Sequence, residues 1–171
     1  DLRRCHEVHK MRGVRLHPNY HGYKLDDPVF VKLLEAIAKR GLLVQLAVSM
    51  EDTRSQHPLL RVPNVDLTPL PDLLKSVPKL KIVLLNSLQY VSGELLLQLI
   101  ATERVSFDMA TLEGVGGLEK LIVRISPHKI LFGSNAPFFY FESALLKMKE
   151  SVIPEADAKL ILAGNARNLL A

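Results

Sequence analysis

The feature that most constrains the fold is a fivefold alternation of short apolar runs with helical patterns along 171 residues. Each run is mostly apolar, as is typical of parallel strands that are covered by helices. The five runs are residues 13–17, 42–48, 80–85, 105–109 and 129–133. Strands that alternate with helices predict βαβ units, so the expected fold class is α/β with parallel strands alternating with helices.

Helix signals follow the runs. After the first run, Asp27 is a good N-cap, Pro28 suits the first helical position, and Gly41 is expected to end the helix. Further helices are predicted from residues 68, 92, 118, 145 and 154 onward. The chain closes with a short helix, for which Asn165 is a plausible N-cap after Gly164.

Composition excludes several classes of protein. No apolar run reaches the length of a transmembrane helix, so no membrane partner is predicted. The net charge of +4 comes without a dense basic stripe or a recognised module, which argues against nucleic acid binding. The single Cys5 fits a reducing compartment, so we expect a cytoplasmic protein. The chain opens on a charged segment and not on Met, so no signal peptide is predicted and further chain is expected upstream of Asp1.

Alternation along the strands divides their side chains between two faces. In the fourth run, Val105, Phe107 and Met109 are expected to face the helices, which leaves Asp108 on the inward face. Polar residues at the carboxyl ends of parallel strands are typical of an active site, although satisfied polar layers are the alternative. The inward polar set consists of Arg15, His17, Gln45, Ser49, Asn86, Ser106, Asp108 and Asn135.

Three histidines lie in loops that follow strand ends. His17 and His21 follow the first run, and His57 lies in the long irregular stretch from 49 to 66. A loop of that length after a strand is more often functional than not. Arg15 and His17 are candidates for holding an anionic group such as a carboxylate. The alternative is that the segment from His17 to Tyr23 is a rigid turn that caps the sheet.

Three segments carry a resemblance to a known family. These are GVRLHPNYHGY at 13–23, LFGSNAP at 131–137 and GNARNLL at 164–170. They resemble the amidohydrolase-related (amidohydrolase 2) family of metal-dependent TIM-barrel hydrolases and decarboxylases. The resemblance implies that residues 1–171 are a single domain, the C-terminal part of a TIM (β/α)8 barrel, with strands four to eight.

The resemblance also locates the metal site that this family usually has. Its strand-eight motif usually reads GSDxP, and the position of the aspartate is Asn135 here. The positions where histidines are expected fall near Ala47 and Asn86. Amide oxygens are poor zinc ligands, so the site is expected to be degenerate, with no metal ligand assigned and little or no zinc bound. Cys5 and His9 are four residues apart and would share one face of a helix, as two metal ligands could. A surface helix without a metal is the simpler interpretation of this pair.

The leading hypothesis is an amidohydrolase-related hydrolase or decarboxylase that acts on a small carboxylated molecule. Asp108, His17 and Asn135 are the catalytic candidates. The substrate-binding candidates are Arg15, Asn86, His21 and His57. The alternative is a catalytically inactive barrel fragment that binds a ligand or another subunit. A missing N-terminal half-barrel or a second copy of the chain is the expected partner. A five-stranded doubly wound domain is a third interpretation, and it requires a reversal in strand order.

Overall fold

The computed structural model describes residues 1–52, 54 and 56–171. Within this part of the chain, five parallel strands form one sheet in the sequential order β1-β2-β3-β4-β5. The strands are β1 Gly13–Leu16, β2 Leu43–Ala47, β3 Lys81–Leu85, β4 Val105–Asp108 and β5 Ile130–Leu131. All five predicted strands and their parallel order are confirmed. The sequential order rules out the doubly wound alternative, which needs a reversal.

Helices connect the strands. They are α1 Leu2–Glu7, α2 Pro18–His21, α3 Pro28–Lys39, α4 Leu70–Ser76, α5 Gly93–Ala101, α6 Gly117–Arg124, α7 Phe141–Glu150, α8 Glu155–Lys159 and α9 Asn165–Leu170. A 3-10 turn, Pro127–Lys129, precedes β5, and a π-helical turn, Leu160–Gly164, joins α8 to α9. The helix predicted from residue 154 is therefore confirmed, and it continues without a break to the closing segment.

The first long helix forms as its terminal residues predict. The Asp27 carboxylate accepts a hydrogen bond from the backbone N–H of Val29 at 2.8 Å, and Pro28 occupies the first position. The helix ends where Gly41 adopts a left-handed backbone conformation with φ of 66°. Both ends are therefore set by local chemistry, an accepting cap at the start and a residue that tolerates positive φ at the end.

The prediction that Asn165 caps the last helix is wrong. Gly164 has helical backbone angles, so the π turn runs directly into α9 and no helix begins there. The buried Asn165 side chain instead donates to the carbonyls of Pro127 and Ile130, each at 2.7 Å. The residue therefore ties α9 to the start of β5, a long-range role that the local sequence pattern does not show.

The fifth strand is shorter than predicted. Only two residues pair with β4, because Lys129 belongs to the preceding 3-10 turn. At the carboxyl end of β5, the N–H of Phe132 donates to the carbonyl of Ile161 in the π turn and not to β4, so Phe132 is already outside the sheet. The chain therefore turns away from the sheet just before Gly133.

Apolar clusters cover both faces of the sheet. The larger one lies between the sheet and the surrounding helices, and it contains Val105, Phe107 and Met109 as predicted. The smaller cluster consists of residues with the opposite alternation, Leu43, Val83 and Leu131. Ala166 and Leu169 of α9 pack against this smaller cluster. Helix α9 therefore covers part of the inner face, which the sequence analysis had treated as polar.

The stretch from 49 to 66 contains no helix or strand among its described residues. It leads from β2 to α4 and closes partly back on the sheet, since the N–H of Val65 donates to the carbonyl of Val48 at 3.0 Å. In the described part of the chain, every helix is too short or too polar to cross a membrane.

Candidate functional site

Asp108 is the titratable group at the centre of the inner edge. It is the last residue of β4, and only 6% of its surface is exposed. Its Oδ1 accepts a hydrogen bond from the backbone N–H of Asn86 at 2.9 Å. Burial raises the pKa of Asp108 to about 6, while the N–H groups of Asn86 and Ala110 and the charges of Lys147 and Arg15 oppose that rise. A carboxyl group with such a pKa exchanges a proton near neutral pH.

Gly133 makes room for this carboxylate. An ideal Cβ on Gly133 would lie 2.7 Å from the Asp108 Oδ2 atom and 2.8 Å from its Cβ. Distances below about 3 Å do not occur for real Cβ atoms in contact, so any side chain here would displace Asp108. The glycine after β5 is therefore a packing requirement of the Asp108 site.

Asn86 follows β3 and joins two neighbouring strand ends. Its backbone has a left-handed φ of 55°, which asparagine tolerates better than most residues. The side-chain amide donates to the carbonyl of Ser49 at 2.8 Å, while the backbone N–H binds Asp108. Its buried Oδ1 atom has no hydrogen-bond partner among the described residues. The residue therefore connects the end of β3 with the ends of β2 and β4.

Asn135, which follows β5, also binds the chain that follows β2. It also has a left-handed backbone, with φ of 53°, and its side-chain amide donates to the carbonyl of Met50 at 2.9 Å. Asn86 and Asn135 both line a cavity of about 10 Å³ at this edge, together with Thr111. The structure therefore brings the two asparagines together, with both amide nitrogens already engaged by the chain that follows β2.

Arg15 is an exposed cation on the inner face. It lies in β1 directly opposite Gln45 of β2, and its Nε donates to the Gln45 Oε1 atom at 2.9 Å. Through the strand register, Arg15 is level with Ser106, two residues before Asp108. At about 3.3 Å per residue, Arg15 stands roughly 7 Å nearer the amino end of the sheet. Its two terminal nitrogens make no described hydrogen bond, so Gln45 fixes the side chain and leaves the guanidinium edge open.

The histidines separate into a pair and an outlier. His17 precedes the short helix α2 and His21 is its last residue, and their ring centroids are 6.2 Å apart. Burial lowers the pKa of His17, and the nearby charges of Arg15 and His21 lower it further. His57 lies in the loop after β2, where its Nδ1 accepts from the N–H of Leu59 at 3.2 Å. No described contact joins His57 to the other candidates, so its substrate-binding role stays a prediction.

The segment from His17 to Tyr23 contains a short helical turn. Pro18 begins the helical turn, and Gly22 ends it with a left-handed φ of 69°. The Tyr23 ring packs on Phe30 with centroids 5.0 Å apart. The segment is therefore an ordered cap over β1, and it also holds His17 beside Arg15.

Lys147 was missed by the sequence analysis. It is half-buried on α7, and its Nζ atom donates to the carbonyls of Met109 at 2.9 Å and Ala110 at 3.1 Å. These are the two residues that follow Asp108. Its position three residues after the buried Ala144 could have placed it near the core.

The site residues can be tested against the metal centre that the family resemblance implies. No group of three His, Cys, Asp or Glu side chains among residues 1–52, 54 and 56–171 is placed to hold a metal ion. At the inner edge, Asn86 and Asn135 carry neutral amides whose nitrogens bind backbone carbonyls. The carboxylate of Asp108 is already bound by a backbone N–H. These residues therefore do not fit a metal centre, since zinc and manganese sites need several anionic or imidazole ligands together.

Comparison with known proteins gives matches of structure. No protein-family model matches the chain, and no curated protein matches it significantly. A 2,6-dihydroxybenzoate decarboxylase in complex with 2,6-dihydroxybenzoate matches with a TM-score of 0.75 and 18% identity, over 99% of this chain and 65% of that one.

Two further solved structures are similar. A dihydroxybenzoic acid decarboxylase from Polaromonas with bound manganese and the inhibitor 2-nitroresorcinol has a TM-score of 0.73 and 18% identity, with 99% of this chain and 63% of that one covered. An amidohydrolase 2 protein from Bifidobacterium longum subsp. infantis has a TM-score of 0.66 and 20% identity, with 93% and 60% covered.

The chain spans a little less than two thirds of the length of each of these structures. The likeness extends over nearly all of this chain, and the five sequential parallel strands are the part of the barrel that it contains. The chain therefore has the fold of part of a TIM barrel, and in this it is similar to these decarboxylase and amidohydrolase structures.

Proposed function

We propose that the protein binds a small carboxylated molecule at the inner edge of the sheet and acts on it as a hydrolase or decarboxylase of the amidohydrolase-related kind. The observation that carries this proposal is the presence of an open guanidinium, on β1, and a buried acid, on β4, on the same face of the sheet. Within the described residues the two terminal nitrogens of Arg15 make no hydrogen bond, and Asp108 lies three strands away on β4, two residues nearer the carboxyl end of the sheet. The similar decarboxylases support the substrate class, since one was solved with a dihydroxybenzoate.

Arg15 and Asp108 have different tasks in this proposal. The guanidinium binds the carboxylate of the ligand through parallel N–H···O bonds, and Gln45 holds it in place. Asp108 serves as the acid, since burial keeps its pKa near 6 and a useful fraction carries a proton near neutral pH. In a decarboxylation, the carbon that loses CO2 takes this proton as the bond to CO2 breaks. Asp108 then regains a proton from water. No step passes through a metal.

The second candidate function is ligand or subunit binding without turnover. It is favoured by the two asparagines, whose amide nitrogens bind the carbonyls of Ser49 and Met50 and are not available to a ligand. These internal hydrogen bonds fix the conformation of the sheet edge, which suits a binding surface that does not catalyse a reaction. Both functions require Arg15 to bind the carboxylate of the ligand. Only the enzymatic function also requires Asp108 as the acid.

Calorimetric titration with 2,6-dihydroxybenzoate tests the shared step. We expect Arg15→Ala to weaken binding by roughly 10- to 150-fold, which corresponds to the 1.5–3 kcal/mol of hydrogen bonds to a charged group. Arg12→Ala is the matched control, because Arg12 is an exposed arginine just before the same strand. Equal affinity of wild type and Arg15→Ala would contradict the proposed site.

The rate of CO2 release from the same compound separates the two functions. If the protein is a decarboxylase, Asp108→Asn abolishes release while binding is kept. If wild type binds the compound and releases no CO2 with or without added Mn2+, the protein is a binding module for this ligand class.

A further inference from the structure

The carbonyl groups that follow Asp108 are held from the helix side of the sheet. The chain leaves β4 at Asp108, and the N–H of Met109 still donates to the carbonyl of Leu131 in β5. The carbonyls of Met109 and Ala110 both accept from Lys147, at 2.9 and 3.1 Å. One ammonium group on α7 therefore fixes the turn that carries the chain away from Asp108.

This arrangement is costly for a lysine, so it needs a compensating gain. A lysine side chain that is held in one conformation loses much of its rotamer freedom. Burial also lowers the pKa of Lys147, while the negative charges of Asp108 and Glu113 raise it. Two hydrogen bonds from a charged donor are stronger than those from a neutral donor, and together they offset this loss of freedom.

The turn connects Lys147 to the Asp108 carboxylate. The backbone N–H of Ala110 lowers the pKa of Asp108, and the carbonyl of the same residue accepts a hydrogen bond from Lys147 at 3.1 Å. The charged groups that act on Asp108 are Lys147 from α7 and Arg15 from β1. Glu113, in the loop after β4, acts on Lys147. Lys147 therefore affects Asp108 in two ways, through the orientation of a donor and through its own charge.

We propose that Lys147 is a positioning residue for Asp108, which fixes the turn at residues 109 and 110 and places a positive charge behind the carboxylate. The proposal rests on the proposed function, in which Asp108 is the acid. It assigns no contact between Lys147 and the ligand. Its effect is to keep a buried acid able to release its proton near neutral pH.

The test is the titration of the Asp108 side chain, followed by carbon-detected NMR of the carboxyl group without any ligand. In Lys147→Met we expect the pKa of Asp108 to rise by about one unit, in line with the loss of a nearby opposite charge. Lys147→Arg keeps the charge and the donors and should restore the wild-type titration. Lys149→Met is the matched control, because Lys149 lies on the same helix and is exposed.

Lys147→Gln covers the case in which Lys147→Met does not fold. Glutamine retains an N–H donor and removes the charge, so the pKa of Asp108 should still rise. The proposal is overturned if the neutral variant that folds titrates like wild type, or if Lys149→Met shifts Asp108 as much as the change at Lys147. Because no ligand is present, this result is independent of the binding experiment. If the Lys147 variants do not shift the pKa of Asp108 but the protein binds 2,6-dihydroxybenzoate, only the role of Lys147 is refuted. If the pKa of Asp108 shifts but the compound does not bind, only the proposed function is refuted.

Discussion

Replacing Gly133 with alanine should damage the Asp108 site from the opposite side. The new Cβ would lie 2.7 Å from the Asp108 Oδ2 atom, and ordinary contact begins at 3.4 Å, so one of the two groups must move by 3.4 − 2.7 = 0.7 Å. Asp108 is buried and is held by the N–H of Asn86 at 2.9 Å, and a movement of that size breaks this bond. Overpacking and a lost hydrogen bond to a carboxylate together destabilise the fold by roughly 2–4 kcal/mol.

Urea unfolding at pH 7 measures this cost, and Gly117→Ala is its control. Gly117 begins α6, and a Cβ there would meet Leu112 at an ordinary 3.4 Å, so alanine should be neutral or slightly stabilising. Asp108 should also titrate differently in Gly133→Ala, because its hydrogen bond to Asn86 is lost. If Gly133→Ala is as stable as wild type and Asp108 titrates unchanged, the argument that Gly133 makes room for the carboxylate is refuted.

Three further predictions concern stability and metal binding. The pKa of Asp108 is raised from 3.8 to about 6 in the folded protein, so the folded state binds more protons between these values. Its contribution to the free energy of unfolding is therefore present below pH 4 and falls by about 3 kcal/mol as the pH rises through 6. Urea unfolding of wild type and Asp108→Asn across this range measures the difference, and a difference that does not change with pH contradicts the assignment. Asn165→Ala removes one buried and one partly buried hydrogen bond and should cost roughly 2 kcal/mol, whereas Asn168→Ala, at an exposed position of the same helix, should cost little. Asn135→Asp places a carboxylate against the carbonyl of Met50 and should cost roughly 1–3 kcal/mol. Metal analysis after dialysis should find far less than one equivalent of zinc or manganese in wild type, and a full equivalent in Asn135→Asp would reveal a latent metal site.

Features that depend on neighbouring residues could be predicted from the sequence. The five strands, the cap at Asp27 and the stop at Gly41 all follow from local propensity and backbone geometry. The inward position of Asp108 follows from the two-residue period of a strand, because its neighbours Phe107 and Met109 are buried against the helices.

Features that depend on long-range contacts could not be predicted in this way. Lys147 contacts carbonyls 37 and 38 residues away, and Asn165 binds carbonyls 35 and 38 residues away. Their sequence context shows only a lysine and an asparagine in helical segments. Asn86 is an intermediate case. The sequence placed it in the inward polar set because it ends the third run, although it follows Leu85, which packs on the inner cluster, and strict alternation would turn it outward. The left-handed backbone at Asn86 changes that direction, so its contact with Ser49 is visible only in three dimensions.

The most direct test of the proposed site is a crystal structure of the protein with 2,6-dihydroxybenzoate. The proposed site requires the carboxylate of the compound to lie within hydrogen-bonding distance of the terminal nitrogens of Arg15, with the ring directed toward the carboxyl end of β4 and Asp108. The same pose should be lost when crystals of Arg15→Ala are treated in parallel. Binding in the 380 Å³ groove lined by Pro18, Tyr23 and Asp66, with the Arg15 side chain unoccupied, would contradict the account.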